Sequence, residues 1–264
     1  MNKESEKYID IHCHLPVNYF YRKIDTLMEQ YKLKGIQKIV SMSQDHKEAR
    51  RSLELAHKFP SCIIPTLGIH PWKAHKKLNE LEICDEILGQ NPNIRVLGEV
   101  GLDYHFITQP ARYTSQKEVF NHFLKLAERR RLPMMLHVKG AESEVADYIE
   151  TSSLPGNFFC IHWFSGPSPI LDRLADLDCY FSCGPALDYS PKHQMVAKVV
   201  HLDRILTESD GNVKYRGKVG HPGLMPKVIE AISSLKKRDR DEVQDSVLKN
   251  SYRYLKITIP EFLE

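Results

Sequence analysis

No run of about 18 apolar residues occurs anywhere in the 264-residue chain, so no segment could span a bilayer as a helix. The first residues, Met1 to Lys7, are charged and lead straight into an apolar segment, leaving no room for a signal-peptide apolar region; a cytoplasmic location is expected. C-x-x-C pairs are missing too. Cys13, Cys62, Cys84, Cys160, Cys179 and Cys183 are scattered, mostly inside apolar runs, which predicts buried reduced thiols rather than disulfides or a zinc knuckle. Neither G-x-G-x-x-G nor a Walker motif is present, which argues against an open doubly wound sheet with a phosphate loop. Excess charge of one sign is also lacking: at +3 the net charge gives no nucleic-acid footprint by itself, and partners must be inferred from a site. No repeat, low-complexity stretch or linker interrupts the chain, so residues 1–264 are expected to form one domain.

What is present is alternation. Short runs rich in Val, Ile, Leu and Phe predict strands near 8–12, 36–42, 62–67, 94–99, 133–137, 158–162, 179–183 and 204–207. Amphipathic stretches between them predict helices that include 45–58, 75–89 and 115–131, with further helices near 224–237 and 240–255. Thr114 or Ser115 is a candidate N-cap for the helix at 115–131, and Ser168 for a later one. Strand and helix repeated eight times predict an α/β fold, a (β/α)8 TIM barrel, whose functional site lies at the C-terminal ends of the strands.

Ionisable residues sit at those ends. His12 and His14 are two apart, so on a strand both can aim at one cation, and His137 and His162 each close an apolar run. Glu99 stands between Gly98 and Gly101, where a carboxylate can approach ions closely and bridge two of them; Asp210 completes the candidate set. The expected ligands are therefore His12, His14, Glu99, His137, His162 and Asp210. Asp103 reads mainly as a loop anchor. Glu208 is expected to point away from its strand neighbours and to serve as an ion-pair partner.

The motifs in order are Ile9-Asp10-Ile11-His12-Cys13-His14-Leu15, Gly68-Ile69-His70-Pro71-Trp72, Gly98 to His105, Gln116 with Phe120 and Leu126-Ala127, Leu132-Pro133 before His137, Ile161 to Gly166, and Thr207-Glu208-Ser209-Asp210. Along essentially its whole length the chain resembles the TatD-type metal-dependent deoxyribonucleases, within the amidohydrolase-like barrels. The resemblance implies one cation held by His12, His14, Glu99 and Asp210, a second held by Glu99, His137 and His162, and His70 on the phosphate side. The chain departs from the family pattern in having Val138-Lys139 where Ser-Arg is frequent, in the loop 211–223, and in Trp163 where phenylalanine is frequent; Trp163 either stacks on a base or packs.

Together these readings predict a hydrolase that uses two divalent ions (Mg, Mn or Zn) to cleave phosphodiester bonds of DNA, from an end or in single strands. Asp210 and Glu99 carry the catalysis, with Asp210 as proton acceptor, and His70, Lys139, Trp163 and Arg216 contact substrate. Two alternatives stand beside this reading: a hydrolase of a small phosphoester, lactone or amide, and a non-catalytic subunit of a larger assembly.

Overall fold

A computed structural model describes residues 7–258. Strand β1 (Tyr8–Cys13) is followed by α1 (Asn18–Tyr21) and α2 (Ile24–Leu33), β2 (Ile36–Ser41) by α3 (His46–Lys58), and β3 (Ile63–Leu67) by α4 (Ala74–Lys77) and α5 (Leu81–Gln90). Next, β4 (Val96–Asp103) leads to α6 (Tyr113–Arg130), β5 (Met134–Lys139) to α7 (Glu142–Thr151), β6 (Phe159–His162) to α8 (Ser168–Asp176), and β7 (Tyr180–Cys183) to α9 (Pro191–Val199). After β8 (Ile205–Thr207) come the hairpin β9 (Lys214–Tyr215) and β10 (Lys218–Val219), then α10 (Met225–Lys236) and α11 (Arg240–Tyr254).

The eight long-range strands pair in parallel and in sequence order from β1 to β8, the (β/α)8 barrel. Its seam is closed by the end of β8 and the chain just beyond it. Thr207 Oγ1 donates to the Ile9 carbonyl at 2.9 Å, and the Asp210 N–H donates to the His12 carbonyl at 2.9 Å. Asp10 reinforces the seam from the other side, accepting from the Ser209 N–H at 3.0 Å and the Ser209 hydroxyl at 2.5 Å.

Burial divides the strand residues into two sets. Ile9 and Ile11, Val40, Ile64, Val96, Met135, Cys160, Tyr180 and Leu206 come one or two from each strand and pack together inside the barrel, with Leu248, Tyr252 and Tyr254 of α11 against them. Residues of opposite parity, such as Leu97, Leu136 and Phe181, face the surrounding helices.

Two strands break this alternation, and both breaks serve the site. In β1, Ile11 faces in but Cys13 faces out, and the pairing with β2 is irregular between Asp10 and Cys13. In β4, Val96 faces in and Leu97 out, yet Val100 and Leu102 also face out, with an irregularity against β5 between Leu97 and Val100. Such one-residue slips re-aim side chains. They turn His12 and His14 inward in β1 and its extension, and Glu99 inward in β4.

Local details differ from the sequence reading. The expected helix at 75–89 is interrupted by a 3-10 turn, Leu78–Glu80, where Glu80 is drawn onto Lys77 and His46 at 2.5 Å each. Helix α6 begins at Tyr113 without a side-chain cap from Thr114 or Ser115, because the 3-10 turn Pro110–Arg112 runs directly into it. Ser168 is the first residue of α8 rather than its cap, a place taken by Pro167. Strand β4 runs on to Asp103, past the expected end at Glu99, because Gly101 lets its backbone press against the His137 carbonyl, where a Cβ would collide. The six cysteines are all unpaired, and no described helix is long and apolar enough to cross a membrane.

Candidate metal centre

Seven of the residues singled out from the sequence converge where β1, β3, β4, β5, β6 and β8 end, and all seven are buried. Glu99 is the hub, with each oxygen facing its own group of imidazoles. Around Oε2, His14 Nε2 lies at 3.3 Å and His12 Nε2 at 3.5 Å, with 3.3 Å between those two nitrogens. Asp210 Oδ1 stands 3.6 Å from His12 Nε2 and 3.5 Å from His14 Nε2. Ligand atoms about 2.1 Å from a tetrahedral cation are separated by roughly 3.4 Å, so these spacings fit a cation. Glu99 Oε2 is moreover buried without a hydrogen-bond partner, a costly state that a cation would relieve.

Around Oε1, His137 Nδ1 lies at 2.9 Å, His162 Nε2 at 3.1 Å and His70 Nε2 at 3.3 Å. The second nitrogen of each ring decides what the first can do. His137 Nε2 faces the Asp103 carboxylate at 2.9 Å, which places its proton there and leaves Nδ1 with a free lone pair toward Glu99. His162 Nδ1 faces Glu208 Oε2 at 3.2 Å, and Glu208 and Glu99 raise this ring well above the usual imidazole range against its burial; in the neutral ring that ligation requires, the proton stays on Nδ1 and Nε2 is free. His70 is the opposite case. Its Nδ1 accepts from the Trp72 backbone N–H at 3.2 Å, so the neutral ring carries its proton on Nε2 and presents a donor. Burial keeps His70 neutral, lowering it to about 4.

Glu99, Asp210 and Asp103 are ionised in spite of their burial. The imidazoles of His70, His12 and His162 more than offset desolvation at Glu99 and hold it well below the usual range. Asp210 is drawn down to about 2 against desolvation by His14, His162 and His12. Asp103 falls to about 2 likewise, through His137, the Trp72 indole N–H at 2.6 Å and the Phe106 N–H.

Three expected substrate contacts stand apart from this cluster. Lys139 donates to the Trp163 carbonyl at 2.6 Å and to Ser165 Oγ at 2.8 Å, so two of its three N–H bonds hold the loop after β6. Trp163 sits beneath that ammonium, half-buried beside His193 and Tyr215. Arg216, at the tip of the β9–β10 hairpin, lays its guanidinium over Tyr189. The sequence reading underplayed Asp103 and Glu208. Asp103 does anchor its loop, accepting from the N–H groups of His105 and Phe106, but its other oxygen fixes the His137 ring. Glu208 does not point away from the site: it shares parity with Leu206 and Asp210, faces inward and holds His162. The buried inward position of Leu206 was the signal that could have placed it.

The chain matches the family described as TatD related DNase over residues 9–256. It belongs to that family. It is accordingly a metal-dependent hydrolase, with the His, Glu and Asp groups above able to bind metal. An uncharacterised metal-dependent hydrolase of Methanocaldococcus jannaschii is 28% identical over 95% of this chain and 97% of its own length. The human protein named deoxyribonuclease TATDN3 is 24% identical over 76% of this chain and 77% of its own. In fold, the crystal structure of the TatD homologue YjjV from Escherichia coli superimposes with a TM-score of 0.87 at 24% identity, covering 95% of this chain and 98% of that one.

Proposed function

We propose that this member of the family is a phosphodiesterase that hydrolyses DNA with two divalent cations held side by side by one shared carboxylate. The observation that carries the reading is Glu99, a single buried carboxylate whose two oxygens each face a separate set of imidazoles. His12, His14, Asp210 and Glu99 Oε2 would hold one cation, and Glu99 Oε1, His137 and His162 the other. The mixed nitrogen and oxygen donors suit Zn, Mn or Mg. When bound, the cations supply Lewis acidity, which makes water nucleophilic near neutral pH and offsets charge developing on the phosphate. Asp210, ionised across the neutral range, accepts the proton that the nucleophile gives up. His70 donates its Nε2–H to a phosphate oxygen, a role its tautomer fits and ligation does not. The name of the human relative supports DNA as substrate. Because the centre is buried among strand ends, a chain end or single strand reaches it more readily than intact duplex.

The test is metal-reconstituted protein incubated with end-labelled single- and double-stranded DNA, beside a Glu99→Gln variant. The wild type is expected to bind two ions per chain and to give a metal-dependent product ladder, favouring single strands. The variant keeps the side-chain size, loses at least one ion and loses activity by on the order of 10²-fold or more. Full activity with unchanged stoichiometry in the variant would falsify the two-metal reading, and hydrolysis confined to small esters would overturn DNA as substrate.

A further inference from the structure

Beside the metal centre lies a cavity of about 270 Å³ that the reaction above does not use. It opens between the 3-10 turn Pro185–Asp188 and the β9–β10 hairpin, with α10 as its floor. Two contacts tie it to the centre. Gly184, in its wall, packs on the Glu208 side chain that holds His162. Tyr215, also in its wall, meets Trp163 edge-on at 5.9 Å between ring centroids, and the Trp163 ring lies 6.3 Å from that of His162.

The composition of the cavity is specific. Tyr189 and Tyr215 supply aromatic surface, Leu187 and Val219 apolar wall, and Lys218 and Lys227 exposed ammonium groups at the edge. The Arg216 guanidinium carbon stands 4.7 Å from the centre of the Tyr189 ring. The backbone that places it there is unusual. Arg216 and Gly217 form the two-residue turn of the hairpin with φ of 47° and 84°. Both central residues of such a turn need positive φ, so its first position favours Asn, Asp or Gly. An arginine held left-handed costs about 1 kcal/mol or more, a strain that marks functional positions. Planar cation, aromatic face and flanking ammonium groups are what an unpaired nucleobase and its phosphate engage: the base stacks on the ring or guanidinium, and the phosphate meets the lysines. A volume just under that of drug-sized pockets suits one base.

We propose that this cavity is a nucleobase subsite, holding the base of a nucleotide next to the scissile phosphate, stacked on the Arg216 guanidinium that the Tyr189 ring backs from its other side. The proposal rests on the phosphodiesterase reading for its substrate but predicts binding that can be measured without turnover. The full-length protein is titrated with 2-aminopurine deoxyribonucleoside 5′-monophosphate, whose fluorescence falls on stacking, and with deoxyribose 5-phosphate, which lacks the base. The wild type should bind the nucleotide about tenfold or more tightly than the sugar phosphate, with quenching. Arg216→Asn keeps the left-handed turn while removing the guanidinium, and Tyr189→Ala removes the ring; each should cut that preference about fivefold or more. Equal affinity for the two ligands in the wild type, or a preference undiminished in both variants, overturns the subsite. A protein that prefers the nucleotide yet cleaves no DNA keeps the subsite and loses the DNase reading; one that cleaves DNA without a base preference does the reverse.

Discussion

Three histidines of the centre, His70, His137 and His162, are defined less by their position than by what the far nitrogen touches. Asp103 is the clearest lever, because Oδ1 accepts two loop N–H groups while Oδ2 faces His137 and accepts from the Trp72 indole N–H. In Asp103→Asn the amide oxygen can keep the loop bonds, but the NH2 then faces His137 Nε2 and also the Trp72 indole N–H, which loses its acceptor. That nitrogen must become the acceptor, and the ring proton moves to Nδ1, the atom aimed at Glu99. The expected result is a loss of about 10–100-fold in affinity for one of two bound ions, read by metal titration against a competing chelator. Two unchanged affinities would refute the role assigned to Asp103. The residues that gather at the candidate centre were legible from the sequence because ionisable residues ending apolar strands need partners. The tautomers were not legible, since each depends on a residue from another strand or loop: Asp103 for His137, Glu208 for His162, the Trp72 amide for His70.

At the scale of elements, apolar runs located all eight strands, while strict alternation failed in the two that matter most. Reading β4 by period two from Val96 would turn Glu99 toward the helices; only the slip between Leu97 and Val100 brings it in, and a slip in pairing leaves no mark in the pattern of one strand. The helix starts diverge for a similar reason. Thr114 has the right chemistry to cap α6 but lies inside a helix whose entry is set by Pro110. Asp45 on α3 is the contrasting case, a cap that does form: Oδ1 accepts from the N–H groups of Lys47 and Glu48 at 3.1 and 3.0 Å, and Oδ2 meets Lys73 at 2.9 Å. Desolvation opposes its ionisation, but the Glu48 N–H and Lys73 outweigh it and hold the carboxyl below 3.8. Asp45→Ala should therefore cost about 1–2 kcal/mol in urea unfolding at pH 7. Because the folded value lies below the unfolded one, this contribution is present above the unfolded pKa and fades as pH falls through the folded pKa. A cost that stayed constant down to pH 2 would show that the charge plays no part.

For the whole molecule, barrel closure and site assembly are one event. The strand order could be expected from eight alternations, but the closing seam could not, because β1 and β8 are almost 200 residues apart and meet through residues of the candidate centre and their neighbours. The His12 carbonyl accepts from Asp210, the His14 N–H reaches the Gly211 carbonyl at 3.4 Å, and Asp10 gathers the His12 N–H together with the N–H and hydroxyl of Ser209. His12 and Asp210, the two residues proposed to share one cation, are thus fixed relative to each other by backbone bonds across the seam rather than by their side chains. Asp10→Ala leaves two buried N–H groups and a hydroxyl without an acceptor, at about 1–3 kcal/mol each, so a loss of roughly 3 kcal/mol or more is expected in urea unfolding. Asp10→Asn retains an oxygen for the two N–H groups and should lose less than half as much. If closure and site are one event, the first cation must weaken along with stability, so Asp10→Ala should bind the ion between His12 and Asp210 more weakly even under conditions where the variant is fully folded. A folded Asp10→Ala protein with wild-type affinity for both ions would separate the two and show that side chains alone assemble the centre.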